Sequence, residues 1–188
     1  MATDWLTLQR IARREFDDRV AQISDWHVPT PDTEWDVSDL VWHVVDEQRW
    51  IQPLLSGRSL DDAKAALEPI GDDLAADWAR FAEQATAAWA MTSPAQEVHL
   101  SYGTVPCIEY LKQQVADVAV HTWDLARAIG ADENLDGELV DAVLAELEPQ
   151  RDMLASSGLF ADPVPVSDDA PPQDRLLALT GRDPRQAS

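Results

Sequence analysis

The sequence predicts an all-α fold, a bundle of four main helices with additional short helices and a C-terminal extension. Three observations carry that reading. Apolar residues recur at helical spacing through four long segments, proline and glycine fall largely between them, and no credible set of alternating segments exists to build a sheet.

The first helix is expected from about Asp4 to Ser24, where Trp5, Leu8, Ile11 or Ala12, Phe16, Val20 and Ile23 share one face. Pro29 and Pro31 close it off. The second starts after Trp35, with Asp36 or Ser38 as cap, and is expected to run to Ile51 before Pro53 and Gly57 break it. A third helical stretch, from Leu60 to Met91, is interrupted around Pro69, Ile70 and Gly71, so a short helix should precede a longer one beginning at Asp72. Leu74, Trp78, Phe81, Ala85 and Trp89 mark its buried side. Residues Glu97 to Tyr102 alternate as an extended segment would, and Thr104 is expected to cap the fourth long helix, which ends at Ile129 with Gly130 in the C-cap position. One more helix is predicted from Leu135 to Leu154. The proline-rich span from Asp162 to Pro172 then reads as a linker or strap, and Asp174 to Pro184 as a short docked helix with its cap.

At 188 residues with 45% hydrophobic content, the chain is expected to form one domain, 1–188, with 162–188 as a strap packed on the bundle. Acidic residues number 35 against 14 basic, a net charge of -21 that repels phosphates and anionic membrane surfaces, so nucleic acid and membrane are not expected partners. Cys107 stands alone and excludes an intramolecular disulfide. With neither a signal peptide nor a bilayer-spanning run, the expected location is cytoplasmic. Exposed tryptophan-rich segments are compatible with a homodimer.

Two of the four histidines sit in tryptophan-flanked helical segments with carboxylates one turn away. On the fourth helix Asp117, His121 and Asp124 fall within roughly 60° of one another; on the second, Asp39, His43, Asp46 and Glu47 form a comparable ridge. Imidazole and carboxylate donors together suit zinc, nickel or iron in divalent form. The plain alternative is an exposed Asp–His hydrogen bond, since carboxylates are abundant everywhere in this chain. His27 reads as a surface loop residue, and His99 as a loop residue within reach of the bundle mouth. Cys107 stands about 21 Å from His121 along a straight helix, which excludes it as a co-ligand of the same ion and leaves packing as its role. Trp42, Trp50 and Trp123 are the tryptophans near enough in sequence to line a pocket. No nucleophile motif, phosphate-binding glycine loop or dinucleotide fingerprint is present.

The segments Trp35–Glu47, Asp117–Gly130 and Asp174–Pro184, above all the run His121-Thr122-Trp123-Asp124-Leu125-Ala126, resemble an actinobacterial family. It belongs to the superfamily of DinB-like proteins and the N-terminal domain of mycothiol-dependent maleylpyruvate isomerase. The resemblance spans nearly the whole chain. It implies a four-helix bundle in up-down-down-up order and a divalent metal, zinc foremost, held by His43, Asp117 and His121; where this chain has Asp117 the isomerase has Glu. It further implies a mycothiol-like thiol as cosubstrate and an electrophile as its partner, with Glu47 or Asp124 orienting a histidine or relaying a proton. The reaction classes that follow are thiol-dependent transfer or isomerisation. The isomerase carries a further C-terminal domain, so the implied chemistry is that of the thiol rather than of maleylpyruvate itself. A non-catalytic metal-binding or stress-associated bundle and a metal-dependent hydrolase are the alternatives.

Overall fold

The structure is a computed structural model that describes residues 3–31, 34–157 and 160–185; residues 186–188 of the expected strap lie outside them. Its elements are α1 (Trp5–Val20), α2 (Val37–Leu55), α3 (Leu60–Ala65), α4 (Leu74–Met91), the hairpin β1 (Glu97–Leu100) and β2 (Gly103–Pro106), α5 (Cys107–Ile129), α6 (Gly137–Leu147), α7 (Arg151–Ser157) and α8 (Pro172–Leu179). A 3-10 turn, Glu148–Gln150, joins α6 to α7. The fold is all-α and DinB-like, with a single small hairpin among the described residues.

Helix directions follow from who touches whom. Gln9 and Arg13 of α1 reach Thr86 of α4 while Asp17 accepts from the Trp78 indole, so these two helices are antiparallel. Trp5 lies against Lys112 and Arg19 donates to the carbonyls of Asp132 and Asn134, so α1 and α5 run the same way. His43 faces Asp117 while Glu47 and Gln48 meet Gln114, which makes α2 antiparallel to α5. The order of the four long helices is therefore up, down, down, up. Helix α1 packs chiefly on α5 and α2 on α4, with α2–α5 and α1–α4 closing the ring. Trp5, Leu8, Ala12, Phe16 and Val20 from α1 and Trp78, Phe81, Ala85 and Trp89 from α4 enter the core, as their spacing predicts. Trp42 is the exposed tryptophan, at 48%, whereas Trp5, Trp78, Trp89 and Trp123 are buried, so tryptophan is mainly a core residue here.

Several boundaries differ from expectation for identifiable reasons. Helix α1 stops at Val20 because the next amides, of Gln22 and Ile23, reach back only three residues, to Arg19 and Val20. Helix α2 continues through Pro53 to Leu55. Proline's fixed φ is helical, and near the C-terminal end its missing N–H forfeits a single ladder bond. Thr104 does not cap α5. It lies in β2 opposite His99, and the first amides of α5, those of Cys107 and Ile108, donate to the carbonyls of Gln96 and Pro94 instead. The helix predicted over Leu135 to Leu154 is broken at Pro149, which cannot donate within the ladder.

The C-terminal segment lies on α5 and α6. Helix α8 packs on α6, Val164 donates to the Ala178 carbonyl, and Arg127 of α5 donates to the carbonyls of Asp183 and Pro184. Gly181 makes this possible. Its φ is +83°, and a Cβ there would stand 2.6 Å from the Ala161 Cβ and 2.8 Å from its backbone carbonyl carbon. Gly130, the C-cap of α5, has φ +67° but open space around it. Gly181→Ala is accordingly expected to destabilise the protein by about 2–4 kcal/mol, and Gly130→Ala by about 1 kcal/mol. Urea unfolding measures both; equal effects would mean that the close approach to Ala161 contributes nothing.

Candidate metal centre

The site forms where α2 and α5 cross, beside the loop that leads into α2. Asp36 and Asp39 form a reciprocal capping box, each side chain accepting from the other's amide at 3.0 and 3.2 Å, which fixes the start of α2. The preceding loop is sewn to that start by Ser38 N–H to the Trp26 carbonyl, Val37 to Val28 and Thr30 to Trp35. Trp35 is thereby held over both histidines, its ring centroid 4.9 Å from that of His43 and 5.8 Å from that of His121. The two imidazoles stand edge to face with centroids 5.0 Å apart.

His43, Asp117 and His121 each present one donor atom, and the three atoms lie within 4.8 Å of one another. Asp117 Oδ1 is 3.6 Å from His43 Nε2 and 3.5 Å from His121 Nε2. Those separations are long for hydrogen bonds. They are close to the spacing of roughly 3.3 Å that neighbouring ligand atoms adopt around a tetrahedral zinc with bonds near 2.0–2.1 Å. Asp117 Oδ2 is buried and has no hydrogen-bond partner. A carboxylate with one oxygen facing two imidazole nitrogens and the other without a partner is, with those nitrogens, a donor set that fits a borderline divalent cation.

The electrostatics point the same way. Burial disfavours charge on both Asp117 and His121, but their attraction for each other outweighs it, helped by His43 on the aspartate and by Asp124 on the imidazole. The Asp117 carboxyl is held well below the usual carboxylate range, and the His121 imidazolium is raised to about 9. The centre thus favours positive charge. Asp124 is fully buried one turn further along α5; its Oδ2 lies 3.2 Å from His121 Nδ1, and Arg182 donates to both of its oxygens at 2.7 and 3.2 Å. Burial opposes its charge as well, yet His121 and Arg182 keep its carboxyl below the ordinary value.

Glu47 sits elsewhere in the same interface. It accepts from Gln114, which in turn accepts from Gln48, all inside the α2–α5 contact. Burial, then the charge of Asp117, raises its carboxyl above the usual value despite the Gln114 hydrogen bond. His27 is exposed and paired with Asp36, and His99 is bonded to the Thr104 hydroxyl, so neither joins the cluster. Cys107 is buried at the start of α5 and burial pushes its thiol up to about 11. Trp123 is buried with its ring under the Arg127 guanidinium, 4.2 Å from its centre. Sequence reasoning missed Trp35, although its place directly before the capping Asp36 is where a large apolar residue fixes the chain's entry into a helix. It also missed the role of Arg182, for which distance in sequence leaves no local signal.

The mycothiol maleylpyruvate isomerase N-terminal domain profile matches residues 9–126, a span that contains His43, Asp117, His121 and Asp124. Two uncharacterised proteins of Mycobacterium tuberculosis, from strains CDC 1551 / Oshkosh and H37Rv, are each 33% identical over 164 residues, covering 82% of this chain and 83% of theirs. The crystal structure of the mycothiol-dependent maleylpyruvate isomerase superposes with a TM-score of 0.59 at 20% identity, over 76% of this chain and 68% of that one. A histidine-to-alanine mutant of that isomerase gives 0.60 at 19% identity over the same shares. At such identities the structural likeness speaks for the fold. With the profile covering α2 and nearly all of α5, the chain belongs to the mycothiol maleylpyruvate isomerase N-terminal domain family.

Proposed function

We propose that the protein binds a divalent ion, zinc foremost, through His43, Asp117 and His121, and acts as a thiol-dependent transferase or isomerase with a mycothiol-type cosubstrate. The observation that carries this is the convergence of His43 Nε2, His121 Nε2 and Asp117 Oδ1 within 4.8 Å of one another, with Oδ1 3.6 and 3.5 Å from the two nitrogens and the other carboxylate oxygen, Oδ2, buried without a partner. Membership of a family named for mycothiol chemistry supplies the thiol. An ion in this position supplies Lewis acidity, lowering the pKa of an incoming thiol so that it reacts as thiolate.

The chain's own residues do the remainder. Asp124 accepts from His121 Nδ1 and leaves Nε2 directed at Asp117. His43 and Asp117, with side chains 29% and 24% exposed, keep the centre open on one side, whereas His121 at 7% anchors it from within. Trp35 lies against both imidazoles and supplies an aromatic surface at the site. Glu47, one helical turn from His43 on α2 and accepting from Gln114, is proposed to take up the proton that a thiol gives away, with burial raising its carboxyl above the usual value. The thiol must come from outside, because Cys107 is buried, roughly 21 Å from His121, and holds its proton tightly.

Metal analysis of the purified protein is expected to find close to one equivalent of zinc, and His121→Ala to weaken its binding by more than about 100-fold. Full zinc retention by His121→Ala would sink the assignment. In the cobalt-substituted protein, added mycothiol or another small thiol should produce the intense near-ultraviolet absorption of a sulfur-to-cobalt bond; if it does not, water activation and hydrolysis become the better reading. A thiol-labelling reagent at pH 8 should leave Cys107 unmodified in the folded protein and label it fully in denaturant. Fast labelling with loss of activity would instead place an internal thiol in the reaction.

A further inference from the structure

The matched family span ends at residue 126, yet a residue well beyond it is built into the centre. Arg182 lies in the cap after α8, its side chain 8% exposed, and grips Asp124 through two bonds: Nε to Oδ1 at 3.2 Å and Nη2 to Oδ2 at 2.7 Å. Its Nη1 donates to the Thr180 carbonyl at 2.6 Å, and its amide donates to the Leu177 carbonyl, so both ends of the side chain are fixed. The fork of a guanidinium matches a carboxylate bidentately, which sets the plane of the Asp124 group as well as its place. Asp124 has no exposed surface, so no water competes for its oxygens from bulk solvent.

That plane matters for His121. An ionised carboxylate whose oxygens already accept from arginine cannot donate, so the ring nitrogen facing Asp124 must carry hydrogen. Nδ1 is that nitrogen. When His121 is neutral, Nε2 therefore keeps the lone pair, on the side where Asp117 and His43 stand. Resting on the metal reading above, we propose that Arg182 is a positioning residue of the centre: it holds Asp124, Asp124 holds His121 in the Nδ1–H tautomer, and His121 offers Nε2 to the ion. The docked C-terminal segment thereby becomes part of the site. Arg127 reinforces it from the opposite direction by fixing the carbonyls of Asp183 and Pro184, the two residues after Arg182.

The test uses Arg182→Met, Arg182→Lys, Asp124→Asn, the Arg182→Met/Asp124→Asn double variant and His121→Ala in the full chain. Zinc affinity is measured by chelator competition, together with the visible spectrum of the cobalt form and thermal unfolding. Arg182→Met should weaken zinc by about 10–100-fold and perturb the cobalt spectrum, with Arg182→Lys recovering part of both. The double variant should bind zinc no more weakly than Asp124→Asn alone, because Arg182 acts through Asp124. If Arg182→Met fails to fold, Arg182→Lys carries the test, with a weakening of several-fold and an altered cobalt spectrum expected. Wild-type zinc affinity and spectrum in a folded Arg182 variant, with His121→Ala defective, would overturn the positioning role and leave the metal reading intact. Absence of zinc binding by the unmodified protein would overturn both.

Discussion

Burial of ionisable groups on one central helix is the constraint around which this structure is arranged. Helix α5 is almost continuously buried from Gln114 to Ala126, and within that stretch it carries the buried His121 and Asp124 and the partly exposed Asp117. An isolated charge in such surroundings costs several kcal/mol, so each must find a partner or lose its charge. The partners come from three directions: His43 from α2, Arg182 from the C-terminal cap, and His121 from α5 itself, at i+4 from Asp117 and i−3 from Asp124.

The two aspartates illustrate how the same residue type is given different tasks. Asp124 is fully satisfied, with both oxygens taken by Arg182 and one shared with His121. Asp117 is not: one oxygen stands at long range from two imidazoles and the other has no partner. Buried polar groups are seldom left in that condition without a function. Free acceptor capacity is what separates the two, and it lies at Asp117.

Much of this was legible in the sequence. The spacing of Trp5, Leu8, Phe16 and Val20, and of Trp78, Phe81, Ala85 and Trp89, gives the buried faces of α1 and α4 because burial on a helix obeys its period. The ridge Asp117, His121, Asp124 is a property of helical geometry alone, and Gly130 marks the end of α5 through its left-handed backbone. Local signals failed where the cause was tertiary. Thr104 is a plausible cap by type, but pairing with His99 claims it for the hairpin. Pro53 looks like a breaker and is tolerated because it falls near a helix end. Trp35 and Arg182 owe their places over and behind the histidines to a folded loop and to a segment 58 residues from Asp124, and no periodicity encodes either.

Charge balance ties the arrangement to the ligand class. Arg182 cancels Asp124, and both imidazoles would be neutral when coordinating an ion. Among the three candidate donor groups the negative charge is that of Asp117. On the metal reading, a divalent ion held by these groups would keep a positive charge in a partly buried setting, where uncompensated charge is unfavourable. A single anionic ligand would restore neutrality, and a thiolate is such a ligand, soft enough for zinc. On the metal reading, Arg182, by neutralising Asp124, would leave the ion a positive charge for a thiolate to balance.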